Sequence, residues 1–377
     1  GLGVFSESTA GAASLAFLIE EPAVKAGWSL YATIDAAAEP GSQVIARPSM
    51  LSASADGSVL CVGSDGSSSK VETWLADAIR GELVPVSAAT VRVAGTARKA
   101  TTVSAAPAGD WVAAANSESG WIWLAPIADD GTIGAPASFA GGSAGLEGIG
   151  YVRGLCFSPD STRLYALSNA DRSVYAFSRV GATWSPAYRT GLDGLPCGPL
   201  SVLKAMAMSP DGSTLAVAAA GSDAVVILDV APDSLAWRGQ ARLADGCAGL
   251  DYPQALAFSP DGSTLAVACK DSSSLVLIDP ASPSTPATAV GYDDGLSGVP
   301  LAIAFQPDGT AVGIAASDGL YVTRFPYGGV PEVIARFGAV DASALGAPRG
   351  IAATAGSFFV SCPDSGSMAI IGRPEGQ

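Results

Sequence analysis

The sequence contains no histidine among its 377 residues. The side chain that most often acts as a general acid or base near neutral pH is therefore missing, and a zinc site that uses histidine is excluded. No cysteine pair has the C-x-x-C spacing of a zinc site, and no Walker or dinucleotide-binding glycine motif occurs. A carboxylate or a lysine would have to replace histidine as a general base, which argues against the commonest hydrolytic machineries.

Basic residues are also scarce. The 20 Lys and Arg residues stand against 35 Asp and Glu, which gives a net charge of −15. This charge repels phosphate backbones and anionic lipid headgroups, so we do not expect nucleic acid as a partner. The apolar run from Ala12 to Ile19 is much shorter than the roughly 20 residues of a membrane-spanning helix, so no membrane insertion is expected. The sequence starts at Gly1 without a basic and apolar leader, as it would after removal of a signal peptide or after trimming. We expect an extracytoplasmic location at a cell or virion surface.

The six cysteines fall into two groups. Four lie inside apolar strand patterns, where a thiol acts as a small hydrophobic side chain: Cys61, Cys156, Cys269 and Cys362. Cys197 and Cys247 lie in loops at equivalent positions of neighbouring repeats. A disulfide between these two stays open, although equivalent points on adjacent blades usually exceed the limit of about 7 Å between Cα atoms.

The strongest pattern is a repeated tight turn between two apolar runs, written Ser-Pro-Asp-Gly in its clearest copies. Proline presets the turn, the aspartate side chain caps it, and glycine accepts a positive φ. We call the third turn position the anchor; it is occupied by Asp56, Ala108, Asp160, Asp211, Asp261, Asp308 and Gly356. The steps between anchors are 52, 52, 51, 50, 47 and 48 residues. The five anchor aspartates are therefore predicted to brace hairpin turns in a seven-fold repeat.

Two further positions keep the same register. A small residue stands four positions before every anchor: Ser52, Ser104, Cys156, Ala207, Ala257, Ala304 and Ala352. Proline recurs eight positions before four anchors, at Pro48, Pro253, Pro300 and Pro348, as suits the first residue of a strand. With two more apolar runs after each turn, the pattern predicts an all-β fold: a seven-bladed β-propeller of four-stranded antiparallel blades, whose innermost strands crowd around an axis.

The two ends of the chain complement each other. Two tryptophans stand at the start of predicted outer strands: Trp184 lies 27 residues before the anchor Asp211, and Trp237 lies 24 residues before the anchor Asp261. Trp28 lies 28 residues before the anchor Asp56. We therefore predict that residues 27 to 35 form an outer strand that completes the C-terminal blade, so that the ring closes by pairing of N- and C-terminal strands. Residues 27–377 then form a single propeller, and residues 1–26 an N-terminal extension with strand-like segments. Eight blades are the alternative.

The repeat resembles a known group of propeller repeats. The Ser-Pro-Asp-Gly turn at Ser209–Gly212, the strand after it, a polar break and the Val-Val-Ile-Leu-Asp strand at 225–229 look like YVTN or WD40-like repeats. This resemblance implies a bacterial or phage propeller. Such repeats occur in surface-layer proteins, lactonase-like enzymes and phage tail proteins, so the resemblance indicates a fold rather than one function.

Candidate site residues lie in the loops that enter the inner strands, because these loops build the central funnel of a propeller. Most of them are acidic, and one sector is basic. The predicted binding residues are Asp193, Asp245, Asp251, Asp293 and Asp294, with Arg98 and Lys99 as the basic sector. The carboxylates could offer oxygen ligands to Ca²⁺, or they could be solvated and idle. No catalytic residue, metal site or required cofactor is assigned.

Tryptophans give a second candidate surface. Trp121 and Trp123 lie on one face of a predicted strand, near Trp111 in sequence. They could form a stacking platform for a sugar or a partner, or they could pack between adjacent blades.

The sequence leads to three functional hypotheses. The main one is a secreted, non-enzymatic binding or scaffolding propeller that recognises a protein or surface polymer through loops on one rim. The first alternative is a lactonase-like hydrolase or lyase that uses funnel carboxylates. The second is a structural module of a tail or surface-layer assembly.

Overall fold

The computed structural model describes residues 28–35, 47–64, 70–77, 82–93, 96–97, 100–116, 118, 120–285, 288–290, 296–324, 332–338 and 347–372. Seven four-stranded antiparallel sheets follow one another in this part of the chain. They form the seven blades of a β-propeller, as predicted. The predicted extension, residues 1–26, lies outside the described residues.

The first half of the described chain supplies one clasp strand and three blades. The strands are β1 (Ser29–Asp35); β2 (Pro48–Ala53), β3 (Val59–Ser64), β4 (Lys70–Asp77) and β5 (Glu82–Thr90) of blade 1; the short hairpin β6 (Arg92–Val93) and β7 (Thr96–Ala97); β8 (Thr102–Ala105), β9 (Trp111–Ala115), β10 (Trp121–Pro126) and β11 (Ala137–Ala140) of blade 2; and β12 (Val152–Phe157), β13 (Arg163–Ser168), β14 (Ser173–Val180) and β15 (Thr183–Gly191) of blade 3.

The second half supplies four blades and two 3₁₀ turns, Ala220–Ser222 and Leu243–Asp245. The strands are β16 (Leu203–Met208), β17 (Thr214–Ala219), β18 (Ala224–Ala231) and β19 (Ser234–Arg242) of blade 4; β20 (Pro253–Phe258), β21 (Leu265–Cys269), β22 (Ser274–Ile278) and β23 (Thr288–Val290) of blade 5; β24 (Pro300–Phe305), β25 (Ala311–Ala316), β26 (Gly319–Arg324) and β27 (Glu332–Gly338) of blade 6; and β28 (Gly350–Ala353), β29 (Ser357–Cys362) and β30 (Ser367–Gly372) of blade 7.

The ring closes through its two ends. Strand β1 pairs antiparallel with β30, and this pair gives blade 7 its fourth strand. Trp28, just before β1, is 2% exposed and stacks on Phe358 of β29 with ring centroids 5.3 Å apart. The predicted closure is therefore confirmed, with seven blades rather than eight. The pairing covers two sheet edges that would otherwise offer unpaired backbone groups.

Blades pack face to face because both faces of the middle strands are apolar. In β3, Cys61 packs against blade 2, whereas Leu60 and Val62 pack against blade 7. Seven such apolar clusters lie one between each pair of neighbouring blades. The alternation follows the two-residue period of a strand that is buried on both sides.

The small residues of the inner strands have a packing role. Cys156 shares its cluster with Met206 of the next blade, and Ala207 shares its cluster with Leu256. A Cβ on Gly154 would lie 3.2 Å from the Cβ of Met206. Small residues on one inner strand thus leave room for larger ones on the next, because the inner strands converge.

The turn between the first two strands of a blade is stabilised by its anchor aspartate. The Asp211 carboxylate accepts hydrogen bonds from Ser209 Oγ at 2.6 Å and from the Ser213 backbone N–H at 3.0 Å. Gly212 has a φ of 72°, a conformation that glycine adopts freely. The bond from Ser209, followed by those from Ser213, lowers the pKa of Asp211 to about 2. Equivalent contacts are made by Asp56, Asp160, Asp261 and Asp308.

The tryptophans and cysteines are structural in the described chain. Trp121 and Trp123 are buried between blades 1 and 2, and Trp111 contacts Trp184 of blade 3 edge to face at 5.6 Å. Packing between blades is therefore the confirmed alternative for these tryptophans. All six cysteines are free thiols. No helix among the described residues has the length and apolarity to span a membrane.

Candidate functional site

The inner strands place one side chain from each blade around one mouth of the central channel. In five blades a β-bulge follows the first residue of the inner strand and turns the next side chain toward this mouth. These side chains stand seven positions before the anchor, and Arg349 has the same register in blade 7. The ring consists of Ser49, Arg153, Lys204, Gln254, Leu301 and Arg349, with Thr102 in blade 2. It encloses a cavity of about 310 Å³.

This ring is cationic although the whole chain is acidic. Arg153, Lys204 and Arg349 line the mouth, and no carboxylate does so among the described residues. Seven other described arginines pair with a carboxylate: Arg47, Arg172, Arg179, Arg189, Arg238, Arg324 and Arg336. The guanidinium groups of Arg153 and Arg349 are exposed and make no ion pair with any described residue. Unpaired guanidinium groups in a concave site are suited to bind an anion.

An apolar layer lies beneath the cations. The residues five positions before each anchor line the same cavity: Leu51, Val103, Leu155, Met206, Leu256, Ile303 and Ile351. Three of them, Leu51, Ile303 and Ile351, also line a second cavity of about 570 Å³ at the other mouth, beside the turn prolines. The two cavities therefore meet at this apolar layer, and the charged groups stand on one side of it.

Blades 4 and 5 add an aromatic ring to the mouth. The Tyr252 ring centroid lies 5.5 Å from Lys204 Nζ and 5.0 Å from Lys270 Nζ, within the range of cation–π attraction. Tyr252 has a φ of 55°, and its backbone is fixed on both sides. Its N–H donates to the Asp223 carboxylate at 3.0 Å, and its carbonyl accepts from the Lys270 N–H at 3.0 Å.

Asp251, next to Tyr252, is a carboxylate with an altered acidity. Burial raises its pKa, and the neighbouring carboxylates of Asp223 and Asp271 raise the pKa further by repulsion. Glu72 also has a raised pKa. Its side chain is buried on β4, between blades 1 and 7 and away from the mouth, with 1% of the residue exposed. Asp251 is therefore the described carboxylate that combines a raised pKa with a position at this rim.

The other predicted site residues are spread over the rim or lie outside the described chain. Asp193 forms a two-pronged ion pair with Arg172 at 2.5 Å, which lowers the pKa of the carboxyl. Asp245 ends an exposed 3₁₀ turn. Asp293, Asp294, Arg98 and Lys99 lie outside the described residues. Their role as binding residues stays a prediction.

The sequence interpretation missed the cationic ring. That interpretation considered the charged residues of the loops. In five blades the ring residue is instead the second residue of the inner strand, where the β-bulge occurs. The signal was present, since Arg153, Lys204 and Arg349 all stand seven positions before an anchor. Reading that register in all repeats would have found them.

A metal site is not apparent in the described residues, which contain no group of three or more His, Cys, Asp or Glu side chains placed to hold an ion. Two candidate ligands, Asp293 and Asp294, lie outside that part of the chain. Calcium binding therefore stays a prediction.

Fold and site define this protein as a seven-bladed β-propeller with a cationic funnel. Residues 147–284 match the family model described as "Lactonase, 7-bladed beta-propeller". This segment covers blades 3 and 4 and the first three strands of blade 5, and it contains Arg153, Lys204, Asp251 and Tyr252. No curated protein sequence matches the chain.

Solved structures of the same fold include two that are named for lactone hydrolysis. One is a Bacteroides fragilis protein assigned as a 6-phosphogluconolactonase, with 16% identity, 78% of this chain and 83% of that chain covered and a TM-score of 0.59. The second is the periplasmic gluconolactonase of Pseudomonas aeruginosa, with 21% identity, coverage of 77% and 84% and a TM-score of 0.57. A functionally unknown protein of Desulfotomaculum acetoxidans has 15% identity, coverage of 72% and 77% and a TM-score of 0.54.

These comparisons correct the main functional hypothesis. The interpretation as a non-enzymatic scaffold is wrong, because the matching family model is that of lactonase propellers and the named neighbours are lactonases. They favour the alternative, a lactonase-like propeller. The proposed surface location and macromolecular partner stay predictions.

Proposed function

We propose that this protein is a hydrolase that opens a lactone ring at the cationic mouth of the channel. The observation that carries this proposal is the placement of Arg153 and Lys204 on neighbouring bulges of the mouth. Asp251, a carboxylate of raised pKa, directly precedes Tyr252, whose ring faces the Lys204 ammonium. Lactone hydrolysis needs a base that activates water and positive charge where the carbonyl oxygen becomes negative. This sector of the mouth supplies both without histidine.

The reaction assigns a step to each group. Asp251 takes a proton from water, and the resulting hydroxide attacks the lactone carbonyl carbon. Lys204 and Arg153 stabilise the negative charge on the carbonyl oxygen of the tetrahedral intermediate. The intermediate collapses and breaks the ring C–O bond, and the ring oxygen leaves as a hydroxyl after it receives the proton held by Asp251. Water and lactone are thus converted into one hydroxy acid.

The environment favours these roles. A carboxylate with a raised pKa is a stronger base than an ordinary aspartate. The apolar layer formed by Leu155, Met206 and the equivalent residues lines the funnel below the cations. It limits the water that can solvate the intermediate, so the attraction of the cations for the oxyanion is less screened.

The test is proton release from glucono-δ-lactone at neutral pH, corrected for spontaneous hydrolysis. We expect the wild-type protein to accelerate ring opening. Lys204→Met should lower kcat/KM by about 100-fold, the typical cost of losing one group that stabilises an oxyanion. Arg324→Met is the matched control, because Arg324 pairs with Glu332 on the outer strands of blade 6; it should leave kcat/KM unchanged.

Two results would contradict the proposal. One is a wild-type protein that does not accelerate hydrolysis of this lactone or of its 6-phosphate above the spontaneous rate. The other is a Lys204→Met variant that is folded and as active as the Arg324→Met control.

A further inference from the structure

The ring of side chains at the mouth differs in polarity from one side of the channel to the other. Arg153 and Lys204 belong to blades 3 and 4, whereas blade 6 contributes Leu301, the one apolar member of that ring. In a closed ring of seven blades, blade 6 is three blades from blade 3, so Leu301 lies across the channel axis from Arg153. A molecule whose polar group is held by the two cations therefore extends toward an apolar sector.

This apolar sector continues down the channel. Ile303 follows Leu301 by two residues on the same strand, and it lines both cavities together with Ile351 and Leu51 of the next two blades. These three side chains join the cavity of the mouth to the larger cavity of about 570 Å³ at the other end. That volume is within the range of about 300–1,000 Å³ that is typical of small-molecule sites. The channel thus has room below the cations for a second part of a ligand.

The larger cavity offers no free polar side chain to such a ligand. Its described lining contains no charged side chain and only two serines, the other residues being Ala, Pro, Leu, Ile, Met and Phe. Ser52 Oγ accepts a hydrogen bond from the Ala105 N–H at 2.9 Å, and Ser54 Oγ donates one to the Asp56 carboxylate at 2.6 Å. A hydroxyl-bearing segment would exchange its bonds to water for no side-chain partner, which costs free energy. An alkyl segment would instead gain free energy by burial.

We propose that the lactone substrate carries an unbranched alkyl chain, which extends from the mouth past Leu301 and Ile303 into the larger cavity. The lactone carbonyl stays with Arg153 and Lys204. The substrate class is therefore the alkyl-substituted lactone, and its product is a hydroxy acid with the same alkyl chain. This inference rests on the proposed function for the group that is held at blades 3 and 4.

The test measures the binding of straight-chain carboxylates, so that it does not depend on catalysis. Butanoate, hexanoate, octanoate and decanoate share the carboxylate that a hydrolysis product would present, and they differ only in chain length. Isothermal titration calorimetry below their micellar concentrations should give a Kd that falls by about fourfold for each added methylene, the effect of burying one CH₂ group. Lys204→Met should weaken all four by a similar factor, because it changes only the site of the carboxylate.

Ala53→Met tests where the alkyl chain lies. Ala53 lines the larger cavity three positions before the anchor Asp56, and Met208 lines it three positions before the anchor Asp211. Blade 4 thus already accommodates methionine at this register. The longer side chain should weaken decanoate by about 10-fold, the effect of excluding roughly two methylenes, and leave butanoate unchanged. Ala236→Met, at an exposed position on the outer strand of blade 4, is the matched control and should change neither.

Ala353→Met provides an independent variant, because Ala353 lines the larger cavity at the same register in blade 7; it should repeat the effect of Ala53→Met. Equal affinity of the wild-type protein for all four carboxylates, or no binding of any, would overturn the proposal. So would folded methionine variants that leave decanoate unchanged or weaken butanoate equally. The expected chain-length pattern without lactone hydrolysis would instead count against the proposed function alone, and hydrolysis without that pattern would count against the alkyl chain alone.

Discussion

The ammonium group of Lys204 stands 5.5 Å from the centre of the Tyr252 ring, and the two residues belong to neighbouring blades. Lys204 is half-buried at the channel mouth, and it makes no ion pair with a described carboxylate. The ring of Tyr252 therefore helps to hold the Lys204 ammonium in place through its π face.

This relationship predicts different effects for two substitutions of Tyr252. Tyr252→Phe keeps the ring face and should leave kcat/KM for a lactone within about twofold of wild type. Tyr252→Leu removes it and should lower kcat/KM by about 3- to 30-fold, which corresponds to the range of cation–π energies. Steady-state kinetics of both variants check this. Equal effects of the two substitutions would contradict a role for the ring face.

The acidity of Asp251 predicts a shift in the pH–rate profile. Since Asp223 and Asp271 raise its pKa by repulsion, the neutralising substitution Asp271→Asn should lower that pKa. Asp251 acts as a base only when ionised, so activity lost on acidification should be lost at a lower pH in the variant. The pH dependence of kcat/KM for both proteins gives the measurement. An acid limb that moves to higher pH, or does not move, would contradict the assigned base.

Glu72 predicts a pH dependence of stability rather than of activity. Burial raises its pKa from 4.5 to about 7, and this effect outweighs the opposing effects of the Lys70 charge and the Trp74 side chain, which lower the pKa. The folded state then binds a proton more tightly than the unfolded state. This contribution to stability is complete below the unfolded pKa of about 4.5, and it is lost as pH rises toward 7.

Glu72→Gln removes this titration. At about pH 8 the variant should unfold at a higher urea concentration than wild type. Its free energy of unfolding should then exceed that of wild type by on the order of 3 kcal/mol at most, whereas the difference should be small at about pH 5. Glu118→Gln, at an exposed loop position, is the matched control. A constant difference between Glu72→Gln and wild type at both pH values would show that Glu72 does not titrate between them.

The anchor aspartates predict graded losses of stability. Asp211 accepts bonds from Ser209, from the Ser213 backbone and from the Ser213 hydroxyl. Asp308 accepts from the Thr310 backbone and hydroxyl. Asp211→Ala should therefore cost about 1 kcal/mol or somewhat more, and Asp308→Ala less. Urea denaturation measures both, and lactone hydrolysis should be unchanged because these turns lie away from the cationic mouth. A larger loss for Asp308→Ala would contradict the assignment of the contacts.

The fold was predictable because the repeat fixes several register positions at once. The turn, the small residue four positions before the anchor and Trp28 each depend on local rules for turns and strands. Trp28 in particular predicted the closing strand. These features recur seven times or complete a missing strand, so one sequence was sufficient.

The site was less predictable for a physical reason. Charge in the loops indicated acidic residues, whereas the side chains at the mouth are selected by a bulge that turns Arg153 and Lys204 toward the axis. The spatial approach of Asp223, Asp251 and Asp271 also depends on how blades 4 and 5 pack. Of the predicted site residues, Asp251 directly precedes Tyr252, whose ring faces Lys204, and its role stays a prediction. Sequence spacing alone gives no distance between loops of different blades.

Two aspartates that precede the same inner strand separate general-base catalysis from a mere effect of charge at the rim. Asp251 is the assigned base, and Asp245 ends the exposed 3₁₀ turn six residues earlier. Both substitutions, Asp251→Asn and Asp245→Asn, remove one negative charge from the same rim. We predict that Asp251→Asn lowers kcat for lactone hydrolysis by about 10²- to 10⁴-fold, the usual contribution of a general base, and that Asp245→Asn leaves it unchanged. Full activity in folded Asp251→Asn, or an equal loss in both variants, would contradict the role of Asp251 as the general base.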